Sequence, residues 1–493
     1  MRDKIFGLMV GSAASECVGL YTEYMTKEEA ATTYPGRKFS LTESVTDSGW
    51  LGDRALLGTN VWTDGTNQAL CILLDFLHTG DLQIKNFALR LYDLAVGDTP
   101  ASGGTPYKSG PLGRLICLDN FTIDPIVTSY EAWKHDPEGP FSGASNESLT
   151  RCHPLGAICV FKSLHRTFEI ATGFCIVTHP SPKCIVACCI VVGLIRGILL
   201  GEVRVEDHID AMIRDAVRWV DDWTSSRRTQ LADKRRKGAK STIEPRLDHS
   251  ELVRYVRPRI ATLIELKLEE KRTPGYVYVA LGATIYTLRS ATDGVKTLDY
   301  DEMLLINQGG AFDHLITDIV MEGSDATANA CTVGAILGAY FGYRAVPQDW
   351  RYSLKHGDFL KERIDGLCQT LSISDGDYDG MQDLQTKFDG GEGIKPPRKT
   401  SHRGEPLVQD DGGDEPGKKA SKKPPKKAGK VLAKKSPEKP EKDSPKKPMK
   451  SSAAQIAKKT PKKTPKTTPK TTPKKTRALK RRPNANTTMR DYL

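Results

Sequence analysis

Apolar residues recur at helical spacing from the first residue to about Trp350. Leu70, Leu73, Leu74 and Leu77 fall at i, i+3, i+4 and i+7, which predicts one buried helical face. Ile84, Phe87, Leu91 and Leu94 mark a second stripe. Ile209, Met212, Ile213, Ala216 and Val220 mark a third, which the charged pair Asp221-Asp222 is expected to end. Residues 275–291 and 329–346 are almost wholly apolar or small, as central helices are. Alternating strand patterns are scarce. The pattern predicts an all-α, compact multi-helix bundle.

The most apolar run, CIVACCIVVGLIRGILLG at 184–201, raises the question of a membrane span. Arg196 within it would cost about 2.5–3.5 kcal/mol near a bilayer centre. Gly193, Gly197 and Gly201 repeat every four residues. The expected reading is a buried core helix whose glycines form a groove for a close neighbour, with no membrane partner. The Gly-rich stretch 97–113 reads as a loop, and 225–246 as a charged surface excursion between helices. From Ser372 the chain turns acidic and glycine-rich. The expected organisation is therefore a helical domain over 1–355, an extension and linker over 356–395, and a tail over 396–493.

Charge divides the chain in the same way. Residues 416–493 hold 27 Lys+Arg and 4 Asp+Glu, a net of +23, whereas the remainder holds 45 basic and 57 acidic residues, a net of −12. The tail is rich in Lys, Pro and Thr, resembles linker-histone tails in composition, and buries too little apolar surface to offset chain entropy; it is expected to be disordered. Such a chain suits salt-sensitive contact with nucleic acid, the alternative being a solubilising tail. Lys480, Arg481 and Arg482 fit a nuclear-import signal, so the expected location is nuclear, otherwise cytoplasmic, and not secreted. The 11 cysteines include no CxxC pair and mostly sit in apolar runs, which points to reduced thiols rather than zinc or disulfides.

Two polar knots precede apolar helices. Thr63-Asp64-Gly65-Thr66-Asn67 leads into the 70–77 stripe, and Asp325 and Thr327 lead into 329–346. Either knot suits helix capping. Two acidic loop-to-helix junctions, with Glu23 as a third carboxylate, also suit a hard cation such as Mg²⁺ or Ca²⁺.

Five segments carry a resemblance: GSAASECVGLYTEY near the start, WTDGTNQALCILL, NESLTRCHPLGAIC, VTHPSPKCIVACC, and GSDATANACTVGAILGAYFGY. Together they make the chain similar to the ADP-ribosylglycohydrolases, especially the fungal members, over about residues 1–355. The resemblance implies an all-α fold, ADP-ribose bound beside two Mg²⁺ ions, and cleavage of the glycosidic bond joining ADP-ribose to a protein or another acceptor. It makes Glu23 the catalytic acid/base candidate and Thr63, Asp64, Asp325 and Thr327 the metal-ligand candidates. It assigns Asn146, Ser148 and His179 to the ADP-ribose pocket. His179 has an alternative reading as a structural histidine at a helix start, and Arg151 and His153 are read as packing residues.

The chain also departs from the family pattern. The second Asp of the family's Thr-Asp-Asp is Gly65 here, and the Asp and hydroxyl residue of the last motif are Thr327 and Ala328. Ser15-Glu16 stands where the family commonly has Gly-Asp, Asn67 where it has Asp, and Asn146-Glu147 where it has Asn-Gly. Two dications about 3.5–4 Å apart are tolerated only among enough carboxylates. One Mg²⁺ is therefore expected in preference to two. The expected function is hydrolysis or binding, with Mg²⁺ assistance, of ADP-ribose linked to protein or another acceptor, weakened by lost ligands, with a non-catalytic ADP-ribose-binding or chromatin-associated scaffold as the alternative.

Overall fold

The computed structural model describes residues 1–42, 60–96, 111–135, 144–236, 246–257, 263–266, 268, 275–296 and 310–387. All of these fall in one compact unit, Met1–Lys395. Of the stretch 97–113 expected to be a loop, residues 111–113 instead open a helix; residues 97–110 and the whole 396–493 tail, with Lys480, Arg481 and Arg482, lie outside the described residues.

The described residues form seventeen α-helices and no β-strand, as the periodicity predicts. In chain order they are α1 (Arg2–Gly19), α2 (Lys27–Thr33), α3 (Asp64–Thr79), α4 (Ile84–Val96), α5 (Pro111–Ile116) and α6 (Pro125–His135). Next come α7 (Glu147–Thr150), α8 (His153–Ile158), α9 (Leu164–Ile176), α10 (Pro182–Leu200), α11 (Glu206–Arg236) and α12 (His249–Val256). The last are α13 (Val277–Lys296), α14 (Ala311–Val320), α15 (Ala326–Phe341), α16 (Gln348–Ser353) and α17 (Gly357–Thr370).

At the centre α1 and α15 lie against each other along their lengths. Every residue from Ile5 to Gly19 is buried, and all but Glu16 are apolar or small, so α1 is a central rather than an amphipathic helix. Gly7 and Gly11 of α1 meet Gly338 and Gly334 of α15 with backbone on backbone. A Cβ at Gly338 would lie 2.0 Å from the Gly7 carbonyl oxygen, and one at Gly11 would lie 2.7 Å from that of Gly334. No larger residue fits at these four positions.

The helix α10 is long and apolar enough to cross a membrane, yet it is buried inside the bundle. Arg196 lies at its edge, donating to the Lys162 carbonyl at 2.9 Å and pairing with Glu202 at 2.9 Å. Its glycines take close neighbours, as expected, and these are side chains. Gly193 is filled by the side chains of Met212 and Phe168, and Gly197 by Val203; Gly201 ends the helix at φ +72°.

Two expectations of extent change. The stripe at 209–220 does not end at Asp221-Asp222, because α11 runs on to Arg236 and takes in the first half of the 225–246 excursion. No Gly or Pro interrupts that stretch, and long charged side chains are good helix formers. Nor does the core stop at 355. Leu360, Ile364, Leu367 and Cys368 of α17 are buried against α1 and α3. Residues 371–387 then return to the bundle: Arg90 donates to the Thr386 carbonyl at 2.6 Å, and Arg363 pairs with Asp383 at 3.0 Å. The acidic, glycine-rich composition misled because one of its carboxylates, Asp383, and the Thr386 carbonyl are partners of buried arginines.

Candidate active site

Three helix N-termini, those of α3, α7 and α15, meet beside the C-terminal end of α1 and the turn after it. The peptide N–H groups of each first turn need acceptors. Thr63 and Asp325 are the N-cap residues of α3 and α15, but neither accepts a capping bond through its side chain. Glutamates from the α1 end do so instead.

Glu16 lies on α1, 1 % exposed. Its Oε1 accepts from the Thr63 hydroxyl at 2.5 Å and the Gly65 N–H at 2.9 Å. Its Oε2 accepts from the Thr66 N–H at 3.1 Å and the Thr66 hydroxyl at 2.5 Å. Burial, reinforced by the nearby charge of Asp64, pushes the Glu16 carboxyl up to about 7 against the pull of these donors. Glu23, also buried, accepts through Oε2 from the Thr327 N–H at 2.8 Å and caps α15.

Asp325 is held from another direction. Its Oδ2 accepts from Asn146 Nδ2 at 2.7 Å. The Asn146 backbone N–H donates to the Gly275 carbonyl at 2.7 Å, and Ser145 and Tyr276 form an isolated antiparallel bridge. Gly275 adopts φ +76°, and a Cβ there would lie 3.5 Å from Asp325 Oδ2. A glycine lets this segment pass close to the carboxylate.

Glu147, beside Asn146, turns toward His179. Its Oε2 lies 3.4 Å from His179 Nε2 and accepts from the Ser145 hydroxyl at 3.2 Å. The pair continues inward. Arg151, fully buried, donates to Gln68 Oε1 at 2.9 Å and to the Thr178 hydroxyl oxygen at 2.5 Å; that hydroxyl is 2.7 Å from His179 Nδ1. The Thr178 hydroxyl thus links the buried Arg151 guanidinium to His179 Nδ1. Burial pulls the Arg151 guanidinium below its usual range.

The structure thus brings Asn146 to Asp325, Glu23 to Thr327, and Thr63 and Asp64 to Glu16. It does not bring the Ser148 hydroxyl to this surface. Ser148 is 1 % exposed, with its hydroxyl among the thiols of Cys175, Cys184 and Cys188. Glu16 stood out in the sequence only as a departure from a motif. Gly275, Tyr276 and Gln68 left no signal, since each acts through a partner far along the chain.

Mg²⁺ requires near-octahedral oxygen donors at about 2.0–2.1 Å. Among the described residues, no group of three or more His, Cys, Asp or Glu side chains is arranged to hold a metal ion. The oxygen donors satisfy one another: Thr63 bonds to Glu16, Asp325 to Asn146, and Glu23 to the α15 backbone. Position 65 supplies no side chain. The donor set as arranged does not fit a two-metal centre.

The ADP-ribosylglycohydrolase family profile matches residues 1–378. The chain belongs to the ADP-ribosylglycohydrolase family. A relative within reach of sequence comparison is the ADP-ribosylarginine hydrolase Tri1 of Serratia proteamaculans. It is 24 % identical over 369 residues, covering 75 % of this chain and 79 % of the relative. A solved structure described as an ADP-ribosylglycohydrolase-related protein complex is 20 % identical, with a TM-score of 0.45, over 75 % of this chain and 98 % of that one. The family match extends beyond residue 355 and includes α17, which agrees with the packing of that helix on the core.

Proposed function

We propose that this ADP-ribosylglycohydrolase recognises ADP-ribose carried on a protein side chain, at the junction of α1, α3, α7 and α15, and cleaves the glycosidic link slowly. The observation that carries this reading is the pairing of opposites at the site. Glu23, Asp325 and Asn146 stay together at the α15 N-terminus, while position 65 lacks an acid and Glu16 fills its surroundings. Asn146 and His179 line the ligand in this reading, and Ser148 is left to packing. Glu23 is assigned acid/base work on the attacking water, a role typically worth about 10²–10⁴-fold. The arginine-linked substrate of the Serratia relative supports an ADP-ribosylated arginine as acceptor.

The test is release of ADP-ribose from an ADP-ribosylated arginine peptide under single-turnover conditions, with and without Mg²⁺. Slow release is expected, falling by about 10²-fold or more in Glu23→Gln, while calorimetry still detects ADP-ribose binding to the variant. Binding without release selects a second reading, a non-catalytic ADP-ribose module. That reading is favoured by the Glu23 carboxylate already serving as a helix cap. No heat at millimolar ADP-ribose overturns both.

The basic tail adds a second proposed property. Its net charge of +23 over residues 416–493 supports sequence-independent contact with DNA or RNA, and the Lys480-Arg481-Arg482 cluster supports nuclear import.

A further inference from the structure

The place where an acidic side chain at position 65 would go is already taken. A Cβ built on Gly65 lies 2.9 Å from Glu16 Oε1, 3.0 Å from Cys331 Sγ and 3.4 Å from the Thr150 Cβ. The oxygen met there belongs to a carboxylate projecting from a different helix, forty-nine residues earlier in the chain. A carboxylate offers about four lone-pair sites. Glu16 spends all four on Thr63, Gly65 and both groups of Thr66. A cation arriving at this loop would have to displace one of those donors and leave it unpaired in a buried setting, which costs about 1–3 kcal/mol for each group.

We propose that the long Glu16 side chain occupies, from α1, the space an acid at position 65 would need, and that by capping α3 it closes this loop to divalent cations. Positions 16 and 65 then form a reciprocal pair. A side chain as long as glutamate at 16 leaves no room for an acid at 65, where a Cβ alone already meets Glu16 Oε1 at 2.9 Å. The inference stands independently of whether ADP-ribose is the ligand.

The experiment is Mn²⁺ binding to the full chain, followed by the electron paramagnetic resonance signal of the free ion, with thermal melting in Mg²⁺ alongside. The native chain is expected to leave Mn²⁺ free up to about 1 mM, with no shift in melting temperature. Gly65→Asp alone is expected to bind no better and to melt lower, because two carboxylates then compete for one space. Glu16→Ala/Gly65→Asp is expected to bind Mn²⁺ at least tenfold more tightly than the native chain. Should the double variant fold poorly, Glu16→Asp/Gly65→Asp carries the same expectation with a shorter, less intrusive acid. Stoichiometric Mn²⁺ binding by the native chain that Glu16→Gln abolishes would make Glu16 a ligand and overturn the proposal. So would Gly65→Asp binding as tightly as the double variants, or soluble, folded double variants that gain nothing. An ADP-ribose titration on the same samples keeps the two readings separate, since its failure sinks the proposed function and leaves the cation result untouched.

Discussion

Glu16 and Glu23 lie two helical turns apart in sequence, yet each ends at the N-terminus of a different distant helix. Their side chains do the work that Thr63 and Asp325, the local cap residues, leave undone. At the same scale His153 shows what an unpartnered buried group costs. Its Nδ1 faces the Thr150 carbonyl at 2.9 Å and must donate to it, while Nε2 has no partner. Protonating Nε2 would strand a charge in the core, so burial pulls the His153 imidazolium down to about 4. The unfolded chain takes up a proton near pH 6.5 and the folded one near pH 4. The stability this histidine confers is thus full above pH 6.5 and lost as pH falls toward 4. The loss amounts to about 3 kcal/mol. Urea denaturation between pH 4 and 7.5 should show that slope in the native chain and a shallower one in His153→Asn. The comparison with the variant is needed because Asp75, raised by burial to about 6, works in the opposite direction over part of the range.

At the scale of elements, the α1–α15 contact is set by four glycines rather than by large apolar side chains. Gly338→Ala would drive a methyl group into the Gly7 backbone, which has no rotamer to change. A loss of about 3 kcal/mol or more in urea denaturation is expected. Gly36→Ala, where a Cβ meets nothing within 4 Å, is the control and should stay within about 0.5 kcal/mol. The shift of a helix by even a small distance here would move both Glu16 and Glu23 away from the N–H groups they cap. The core packing and the site geometry therefore depend on the same backbone contact. The sequence showed a glycine repeat in α10, where side chains fill the notches, while the glycines that bring two backbones together lie in α1 and α15, 323 to 331 residues apart in their pairs.

For the whole molecule, charge is sharply divided between an acidic part and a basic tail. The acidic, family-matching part carries the site, and residues 357–387 belong to its core through Arg90, Arg363 and the buried face of α17. The tail supplies positive charge at high density. Binding of the full chain to a mixed-sequence DNA duplex should weaken steeply as salt rises, with log K falling linearly in log salt. A chain ending at residue 395 should lose that binding, and its ADP-ribose titration should be unchanged. Equal DNA binding by both chains would place the nucleic-acid contact elsewhere or dismiss it.

The hydrophobic period alone was enough to predict an all-helical bundle and a buried α10, because burial of an apolar stripe is a local, repeating requirement. The motif segments also carried the family, since their order and spacing persist through changes in individual residues. The path of the chain around those motifs was decided only by the folded structure. Composition could not reveal that α11 continues through a charge run, or that the acidic segment after α17 returns to the bundle through Asp383 on Arg363 and the Thr386 carbonyl on Arg90. Nor could spacing show that Glu16 enters the space beside Gly65. A side chain's surroundings are fixed by helices packed across hundreds of residues, and a hydrogen bond is satisfied by whichever donor that packing brings within about 3 Å.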